Sequence, residues 1–325
     1  MRASELLALA LVSVAAPNFA LADDPGVETE VVDAMNKVFG EQRGFRAVHA
    51  KGVVVEGSFR GSPEAKAFSR ASLFDGSTVP VTVRFSNNGG FPTIPDGSPD
   101  ANPHGMAVKF HLADGSDADM VTNSFKVFPV ATAADLRDLF LALAASPPDA
   151  PKPTKIERFV AEHPTVAAAS ATIATPDSFA TEEYHGLNAF LLVNKAGDKQ
   201  AVRFVWMPER VVHLDGGEAA KRPPDFLMNE IPIRLKSGPV TFHLKAQLAE
   251  PGDPTNDPTK VWPESRRVVD LGVLTLDRAV PNSMEVEKTL LYLPSQLTDG
   301  IEVSDDPMIG TRDGAYAVSF SRRSQ

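Results

Sequence analysis

Residues 79–86 have the sequence VPVTVRFS, in which apolar and polar side chains largely alternate. Val81, Val83 and Phe85 fall on one face of an extended chain, while Arg84 and Ser86 fall on the other. A period of two residues is typical of a strand with one buried face. The stretch therefore predicts a β-strand, and its neighbours along the chain decide what kind of sheet it joins.

Further strands are predicted on both sides of this one. They cover residues 46–59, 106–112, 120–128, 188–194, 200–207, 240–248 and 268–276. Helices are predicted at residues 27–40, 132–143, 154–162, 225–229, 284–291 and 311–323. The proline-rich stretches 146–153 and 251–264 are predicted to be irregular. Central strands with helices grouped late favour an α+β fold with a closed antiparallel β-barrel over a βαβ fold.

The first 22 residues are predicted to be a cleaved signal peptide. Arg2 gives a positive start, residues 6–14 are apolar, and Ala20 and Ala22 are small residues where a signal peptidase would cut. The apolar run is too short for a comfortable transmembrane helix, and no later stretch is apolar enough to span a bilayer. We expect a periplasmic or secreted protein, with residues 23–325 as a single domain and no integral membrane segment.

Composition excludes several classes of function. The chain has 325 residues, of which 43% are hydrophobic and 23% charged, as is ordinary for a globular protein. The net charge of −10 disfavours binding to nucleic acid or to an anionic membrane. The absence of cysteine excludes disulfides, thiol nucleophiles, iron–sulfur clusters and any thiolate-bound zinc or haem.

The sequence also lacks the common motifs of hydrolases and nicotinamide enzymes. It contains no HExxH motif of zinc proteases, no GxSxG motif of serine hydrolases and no GxGxxG motif of dinucleotide-binding folds. These absences narrow the possibilities without naming a function.

Five local strings are more informative than the individual residues in them. They are Arg46-Ala47-Val48-His49-Ala50-Lys51-Gly52, Val83-Arg84-Phe85-Ser86, Thr122-Asn123-Ser124 leading to Val127-Phe128, Asp257-Pro258-Thr259-Lys260-Val261-Trp262-Pro263, and Arg312 four residues before Tyr316. Taken singly, His49, Arg84, Asn123 and Tyr316 fit structural roles as well as catalytic ones. In order and spacing, the five strings resemble catalase over about residues 45–323. The chain is most similar to the compact catalase-related peroxidases, which lack the N-terminal arm and C-terminal helical domain of full-length catalases.

The resemblance implies a proximal haem ligand near the end of the chain. Tyr316 matches the tyrosine that binds the haem iron in catalases. Arg312 lies one helical turn earlier and would stabilise the phenolate by charge and hydrogen bonding. Arg323, seven residues past Tyr316, matches an arginine that binds a haem propionate, and the adjacent Arg322 is an alternative for that role.

The distal side is implied by the same resemblance. His49 matches the residue that moves a proton between the two peroxide oxygens, Ser86 the residue that orients its ring, and Asn123 the amide that polarises the O–O bond. Val48 and Phe128 match apolar residues of the distal pocket.

Two more arginines, Arg46 and Arg84, match arginines that pair with haem propionates. One geometric difficulty arises, because residues three apart on a strand point to opposite faces, and Arg46 and His49 are three apart. Both can reach one haem only if the strand is irregular there or the haem lies across its edge.

The resemblance implies a haem peroxidase, with the haem expected to be haem b. It would reduce hydrogen peroxide or organic hydroperoxides through a ferryl intermediate, with a small organic electron donor and limited catalase activity. The protein would be a monomer or a dimer. Two alternatives stay open: a non-enzymatic exported haem carrier, and a lyase that rearranges hydroperoxides on the same fold. His185 is compatible with a structural role or with substrate contact.

Overall fold

A closed antiparallel barrel forms the centre of the molecule. The computed structural model describes residues 26–324, so the predicted signal peptide lies outside the described residues. The strands are β1 (Gly52–Gly61), β2 (Thr78–Asn87), β3 (His104–His111), β4 (Asp117–Asn123), β5 (Thr175–Pro176), β6 (Tyr184–His185), β7 (Phe190–Val193), β8 (Lys199–Pro208), β9 (His213–Leu214), β10 (Val240–Leu248), β11 (Val268–Ala279) and β12 (Ile301–Val303). Eight of them follow the order β10-β11-β1-β2-β3-β4-β6-β8, and β8 pairs with β10 to close the ring. Strands β7 and β12 extend the sheet from β8, and β5 pairs with β9 separately.

The barrel interior is filled by aromatic side chains, as the alternation of residues 79–86 predicts. Phe85 is fully buried and stacks on Phe179 with ring centroids 5.3 Å apart. Phe59 contacts Phe110 and Trp206 edge-on at 5.4 and 6.0 Å. These rings form a packed core rather than a channel, so a ligand as large as haem has to bind outside the barrel wall.

Helices cover the barrel and build a second core. They are α1 (Val27–Phe39), α2 (Ala65–Phe68), α3 (Ala133–Ala144), α4 (Lys155–Glu162), α5 (Pro164–Ser170), α6 (Gly216–Ala219), α7 (Phe226–Ser237), α8 (Ser283–Thr289) and α9 (Pro307–Arg323). Helices α1, α3 and α9 bury one apolar cluster, which includes Val32, Leu136 and Met308. None of the helices in residues 26–324 is long and apolar enough to cross a membrane.

Helix starts follow local capping chemistry. The Thr132 side chain accepts a hydrogen bond from the Asp135 N–H at 3.1 Å and begins α3 where it was predicted. Thr154 and Glu157 form a reciprocal capping box at the start of α4. The α+β fold with a closed antiparallel barrel is confirmed.

Several predicted boundaries were wrong, and two of these errors fall near the site. The strand predicted from residue 46 begins only at Gly52, because residues 42–50 form turns and bends. The strand predicted to reach residue 128 ends at Asn123, whose side-chain oxygen accepts a hydrogen bond from the Phe125 N–H at 2.9 Å and turns the chain. The helix predicted at residues 225–229 extends to Ser237.

Candidate active site

A row of residues across adjacent strands forms one wall of the candidate site. Ser86 on β2 lies opposite Gly105 on β3, and Gly105 lies opposite Asn123 on β4. Directly opposed residues in an antiparallel sheet point to the same face. Ser86 and Asn123 therefore flank a position that has no side chain. A Cβ atom on Gly105 would lie 3.2 Å from the His49 ring, so the glycine leaves the space that this ring occupies.

His49 lies in the irregular segment before β1, with a backbone φ of 56°. The left-handed conformation is unfavourable for a residue other than glycine. Arg84 stabilises it by donating a hydrogen bond from Nη2 to the His49 carbonyl at 2.8 Å. This local irregularity removes the difficulty raised by strand alternation, because Arg46 and His49 are not on a strand.

The His49 ring is oriented from the sheet side. Its Nδ1 atom lies 3.1 Å from Ser86 Oγ, within hydrogen-bonding distance. When Nδ1 carries the proton and donates it to Ser86, the lone pair of Nε2 is available on the other side of the ring. Burial, followed by the nearby Arg84 charge, lowers the pKa of His49 from 6.5 to about 3. The imidazole is therefore neutral at physiological pH and able to accept a proton.

The apolar residues predicted for the distal side lie together. Val48 and Phe128 are partly buried, and both pack against the core shared by α1, α3 and α9. His185, at the far end of the row, pairs with Asn123, and its Nε2 lies 3.6 Å from Glu183. The structure thus places His185 beside the site without assigning it a contact there.

Tyr316 lies on α9 with its hydroxyl bound by Arg312. Arg312 donates from Nε and Nη2 to the Tyr316 oxygen at 3.2 and 3.1 Å. Its Nη1 donates to Asn188 Oδ1 at 2.6 Å, and the Asn188 amide donates to Asp306 at 2.8 Å. Asp306 also caps α9 by accepting from the Met308 N–H at 2.9 Å. Arg312, Asn188 and Asp306 are buried, and their hydrogen bonds connect Tyr316 to the N-terminus of α9.

Two residues of this hydrogen-bonded series, Asp306 and Asn188, differ in how far the sequence indicates their roles. Asp306 caps α9, and an acidic residue just before a helix is a signal that a sequence can show. Its link to Arg312 through Asn188 was not predicted. Asn188 and Asp306 are 118 positions apart, and a single asparagine gives no signal in the sequence for such a contact.

Three arginines lie near one buried carboxylate, and two of them pair with it. Arg84 lies 2.6 Å from Glu287 on α8, and Arg46 lies 3.5 Å from the same carboxylate. Arg46 and Arg323 both donate to the Leu290 carbonyl, at 2.9 and 2.5 Å. Burial, followed by the charge of Arg84, lowers the pKa of Arg323 to about 10. Glu287 was not predicted from the sequence, since a glutamate on a short helix is ordinarily a surface residue.

The structure also separates the two arginines at the end of the chain. Arg322 forms an ion pair with Asp33 of α1 at 2.6 Å, on the protein surface. Arg323 is buried beside Arg46 and Arg84. Of the two alternatives, only Arg323 belongs to the arginine cluster.

These residues fit a haem. Three guanidinium groups and one carboxylate leave two positive charges, which match the two propionates of a haem. Two buried donors in this region, Arg323 Nε and the Tyr292 hydroxyl, have no hydrogen-bond partner among residues 26–324. Buried donors of this kind need an acceptor, which a propionate would supply. Across the same residues, no cluster of three or more His, Asp or Glu side chains is placed to hold a metal ion directly.

The two halves of the site are in contact. The Ala47 N–H donates to Ser319 Oγ at 3.1 Å, which joins the His49 segment to α9 about one turn beyond Tyr316. Arg312 is also among the charges that lower the pKa of His49. The segment that carries the neutral His49 is therefore in direct contact with the helix that carries Tyr316.

Comparison with known proteins gives a consistent result. The family model described as catalase matches residues 27–324. The catalase-related peroxidase of Mycolicibacterium paratuberculosis is 35% identical over 299 residues, which cover 90% of this chain and 94% of that protein. The catalase-related peroxidase of Synechococcus elongatus is 34% identical over 301 residues, or 91% and 88% of the two chains. A catalase of Alkalihalophilus pseudofirmus is 30% identical over 299 residues, which are 83% of this chain and 43% of that protein.

Proposed function

This chain belongs to the catalase family and is an oxidoreductase of the peroxidase type, and we propose that it uses haem b to reduce peroxides with a small organic electron donor. The substrates are hydrogen peroxide and organic hydroperoxides. One peroxide, two electrons and two protons give water and an alcohol, or two waters when the substrate is hydrogen peroxide. Each donor molecule supplies one electron and one proton.

The observation that carries the proposal is the joint placement of His49 and Tyr316. A haem carrier needs a ligand and a pocket, and it has no need for a neutral histidine held by Ser86 beside an asparagine. Here the histidine segment contacts the helix of Tyr316 through Ala47 and Ser319 at 3.1 Å. Proton transfer next to the cofactor is the function that this arrangement suits.

The residues that would hold the haem are those of the two clusters described above. Tyr316 would bind the iron, with Arg312 stabilising the phenolate. The propionates would pair with Arg46, Arg84 and Arg323. When bound, haem would supply a redox-active iron centre for the two-electron reduction of peroxide and the one-electron oxidation of each donor molecule.

The protein's own residues would transfer a proton between the two peroxide oxygens. His49 takes it from one peroxide oxygen at Nε2 and returns it to the other, so that water or an alcohol leaves. Ser86 keeps the ring in position by accepting from Nδ1. The Asn123 amide donates a hydrogen bond to the departing oxygen, since its own carbonyl oxygen already accepts from Phe125. Val48 and Phe128 limit the water that reaches the reacting oxygens.

The test is stopped-flow spectroscopy of the haem-loaded protein mixed with peroxide. We expect Tyr316→Phe to abolish the ferric tyrosinate spectrum, and His49→Ala to slow the peroxide-induced change in Soret absorption by about 100-fold or more. Tyr184→Phe and His243→Ala are matched controls, because the Tyr184 side chain is buried in the barrel core and His243 is a partly exposed residue of β10 paired with Asp270. A haem-loaded protein that does not react with peroxide would instead support the carrier alternative.

Product analysis separates the lyase alternative. A peroxidase converts a lipid hydroperoxide to the corresponding alcohol and consumes donor in a two-to-one ratio. A lyase gives rearranged products and consumes no donor.

We also propose that residues 1–22 direct the protein to the periplasm or the medium. The positive start, apolar stretch and small residues at positions 20 and 22 support this. N-terminal sequencing of the protein from its own host should begin at Asp23, whereas a retained Met1 would contradict export by this route.

A further inference from the structure

A cleft of about 310 Å³ opens between α1, the segment at residues 41–47 and the last turn of α9. Val32 and Asn36 of α1 line one side, and Arg43 and Phe45 line another. Arg323 lies at the α9 end. Sites for small molecules in proteins have volumes of roughly 300–1,000 Å³, and this cleft is at the lower end of that range.

The inner end of the cleft reaches the arginine cluster. Ala47 lines it and is two residues from His49. Arg323 lines it and shares the Leu290 carbonyl with Arg46. Arg323 is only 8% exposed, and its Nε atom has no hydrogen-bond partner in the described part of the chain. A molecule in the cleft would therefore lie against the propionate end of the haem site.

The charge of the cleft is opposite to that of the protein as a whole. The chain carries −10, yet three arginines and one glutamate line this cleft. Arg322 is paired with Asp33 at 2.6 Å. Arg43 is exposed and has no ion-pair partner within residues 26–324. Because Arg322 is paired and Arg323 belongs to the arginine cluster, Arg43 is the cation that would attract an anion, and the partly exposed Phe45 offers apolar surface to a flat ring.

We propose that this cleft binds the organic electron donor, and that the donor is a small aromatic carboxylate with a phenolic hydroxyl. Its carboxylate pairs with Arg43 at the mouth, and its ring lies against Phe45 with the phenol directed inward. Each phenol gives up one electron and its proton, so two phenols and one hydroperoxide yield two phenoxyl radicals, one alcohol and one water. This inference rests on the proposed function and names the substrate class that completes it.

The experiment compares 4-hydroxycinnamate with its neutral amide on the haem-loaded protein. The variants are Arg43→Glu and, as a control, Arg210→Glu, another exposed arginine for which no ion pair is found in the described residues. Binding to the resting protein is measured by calorimetry, and KM and kcat for oxidation of each compound by steady-state kinetics. We expect Arg43→Glu to weaken binding of the carboxylate and raise its KM about fivefold to tenfold. The values for the amide should change less than twofold, and Arg210→Glu should match the unmutated protein.

A second variant tests the location independently of charge. Asn36→Trp places a large side chain in the cleft and should weaken binding of both compounds. The proposal is overturned if Arg43→Glu affects acid and amide equally, if Arg210→Glu has as large an effect, or if Asn36→Trp changes neither. Failure of the proposed function is seen separately, as a resting protein that binds the acid at Arg43 but does not react with peroxide.

Discussion

Arg312 holds the Tyr316 hydroxyl with two hydrogen bonds, of 3.2 Å from Nε and 3.1 Å from Nη2. Both residues are on α9, one turn apart, so the helix itself sets the distance between them. The guanidinium is in turn fixed by Asn188, which is neutral. The positive charge next to the phenol is therefore not cancelled by a direct carboxylate partner, because the Asp306 carboxylate lies one residue further along the chain of hydrogen bonds.

Arg312→Gln should weaken the bond between Tyr316 and the haem iron. The variant removes the charge that stabilises the phenolate while keeping a polar side chain of similar reach. We expect the tyrosinate spectrum to weaken and the peroxide reaction to slow about tenfold or more, as for loss of a charged hydrogen bond. Arg137→Gln, at a surface ion pair with Glu30, is the control and should leave both unchanged. A normal spectrum in Arg312→Gln would show that the iron alone keeps the phenolate ionised.

Gly105→Ala should displace His49 without removing it. The new Cβ would lie 3.2 Å from the imidazole and 2.8 Å from Ser86 Oγ, and strand pairing on both sides prevents β3 from moving away. We expect haem binding to survive and the peroxide reaction to slow about 100-fold, as for loss of a general acid–base residue. Gly216→Ala is the control, since nothing lies within 4 Å of its added Cβ. A variant that reacts at the normal rate would mean that His49 does not depend on the space above Gly105.

The pH dependence of the peroxide reaction should be flat where an ordinary histidine titrates. Burial and Arg84 lower the pKa of His49 to about 3, so its neutral form is the dominant form from about pH 4 upward. The rate constant for the peroxide reaction should therefore change little between pH 5 and pH 8. Stopped-flow rates measured across this range test the expectation. A fall in rate on acidification with a midpoint near 6.5 would indicate an exposed histidine instead.

Glu287→Gln should make the protein depend more strongly on haem for its stability. The carboxylate is the negative partner of Arg84 and Arg46, and without it three buried arginines repel one another. Removing one partner of a buried ion pair typically costs about 3–5 kcal/mol, and haem propionates would offset part of that cost. The unfolding temperature of the haem-free variant should fall more than that of the haem-loaded variant. Equal shifts in the two forms would argue against propionates at this cluster.

The sequence predicted the barrel and named candidate site residues, but it did not predict how the chain positions those residues. Strand alternation predicted strands of the barrel, because a period of two is a local property of the residues themselves. The same rule predicted a strand through His49, where the hydrogen bond from Arg84, 35 residues away, holds a left-handed conformation instead. Local patterns carry no information about a contact of that kind.

The residues that support the candidate site could not be predicted from the sequence, for a related reason. Gly105 is one of 22 glycines, and its role becomes visible only when strand register brings Ser86, Asn123 and the His49 ring around it. Asn188 and Glu287 each depend on partners more than 100 positions away. Arg323 could be separated from Arg322 only by the direction in which α9 presents each side chain.

His104 should make the folded protein sensitive to acid. It is fully buried at the start of β3, and neither ring nitrogen has a hydrogen-bond partner among the described residues. Burial lowers its pKa from 6.5 to about 3. In the unfolded chain this histidine binds a proton below about pH 6.5, while the folded protein keeps it neutral until about pH 3. The unfolded state thus binds more protons in this window, and stability falls as the pH falls through it.

His104→Leu removes this contribution and keeps a buried apolar side chain at the position. Well below pH 6.5, the unfolding free energy of the original protein should fall relative to that of the variant by about 1.4 kcal/mol per pH unit. Urea denaturation of both proteins between pH 7 and pH 4 measures the difference, and comparing the two cancels titrations common to both. His243→Leu, at a partly exposed histidine paired with Asp270, is the control for the replacement of histidine by leucine. A difference between His104→Leu and the original protein that does not vary with pH would mean that His104 takes up a proton as readily in the folded protein as in the unfolded chain.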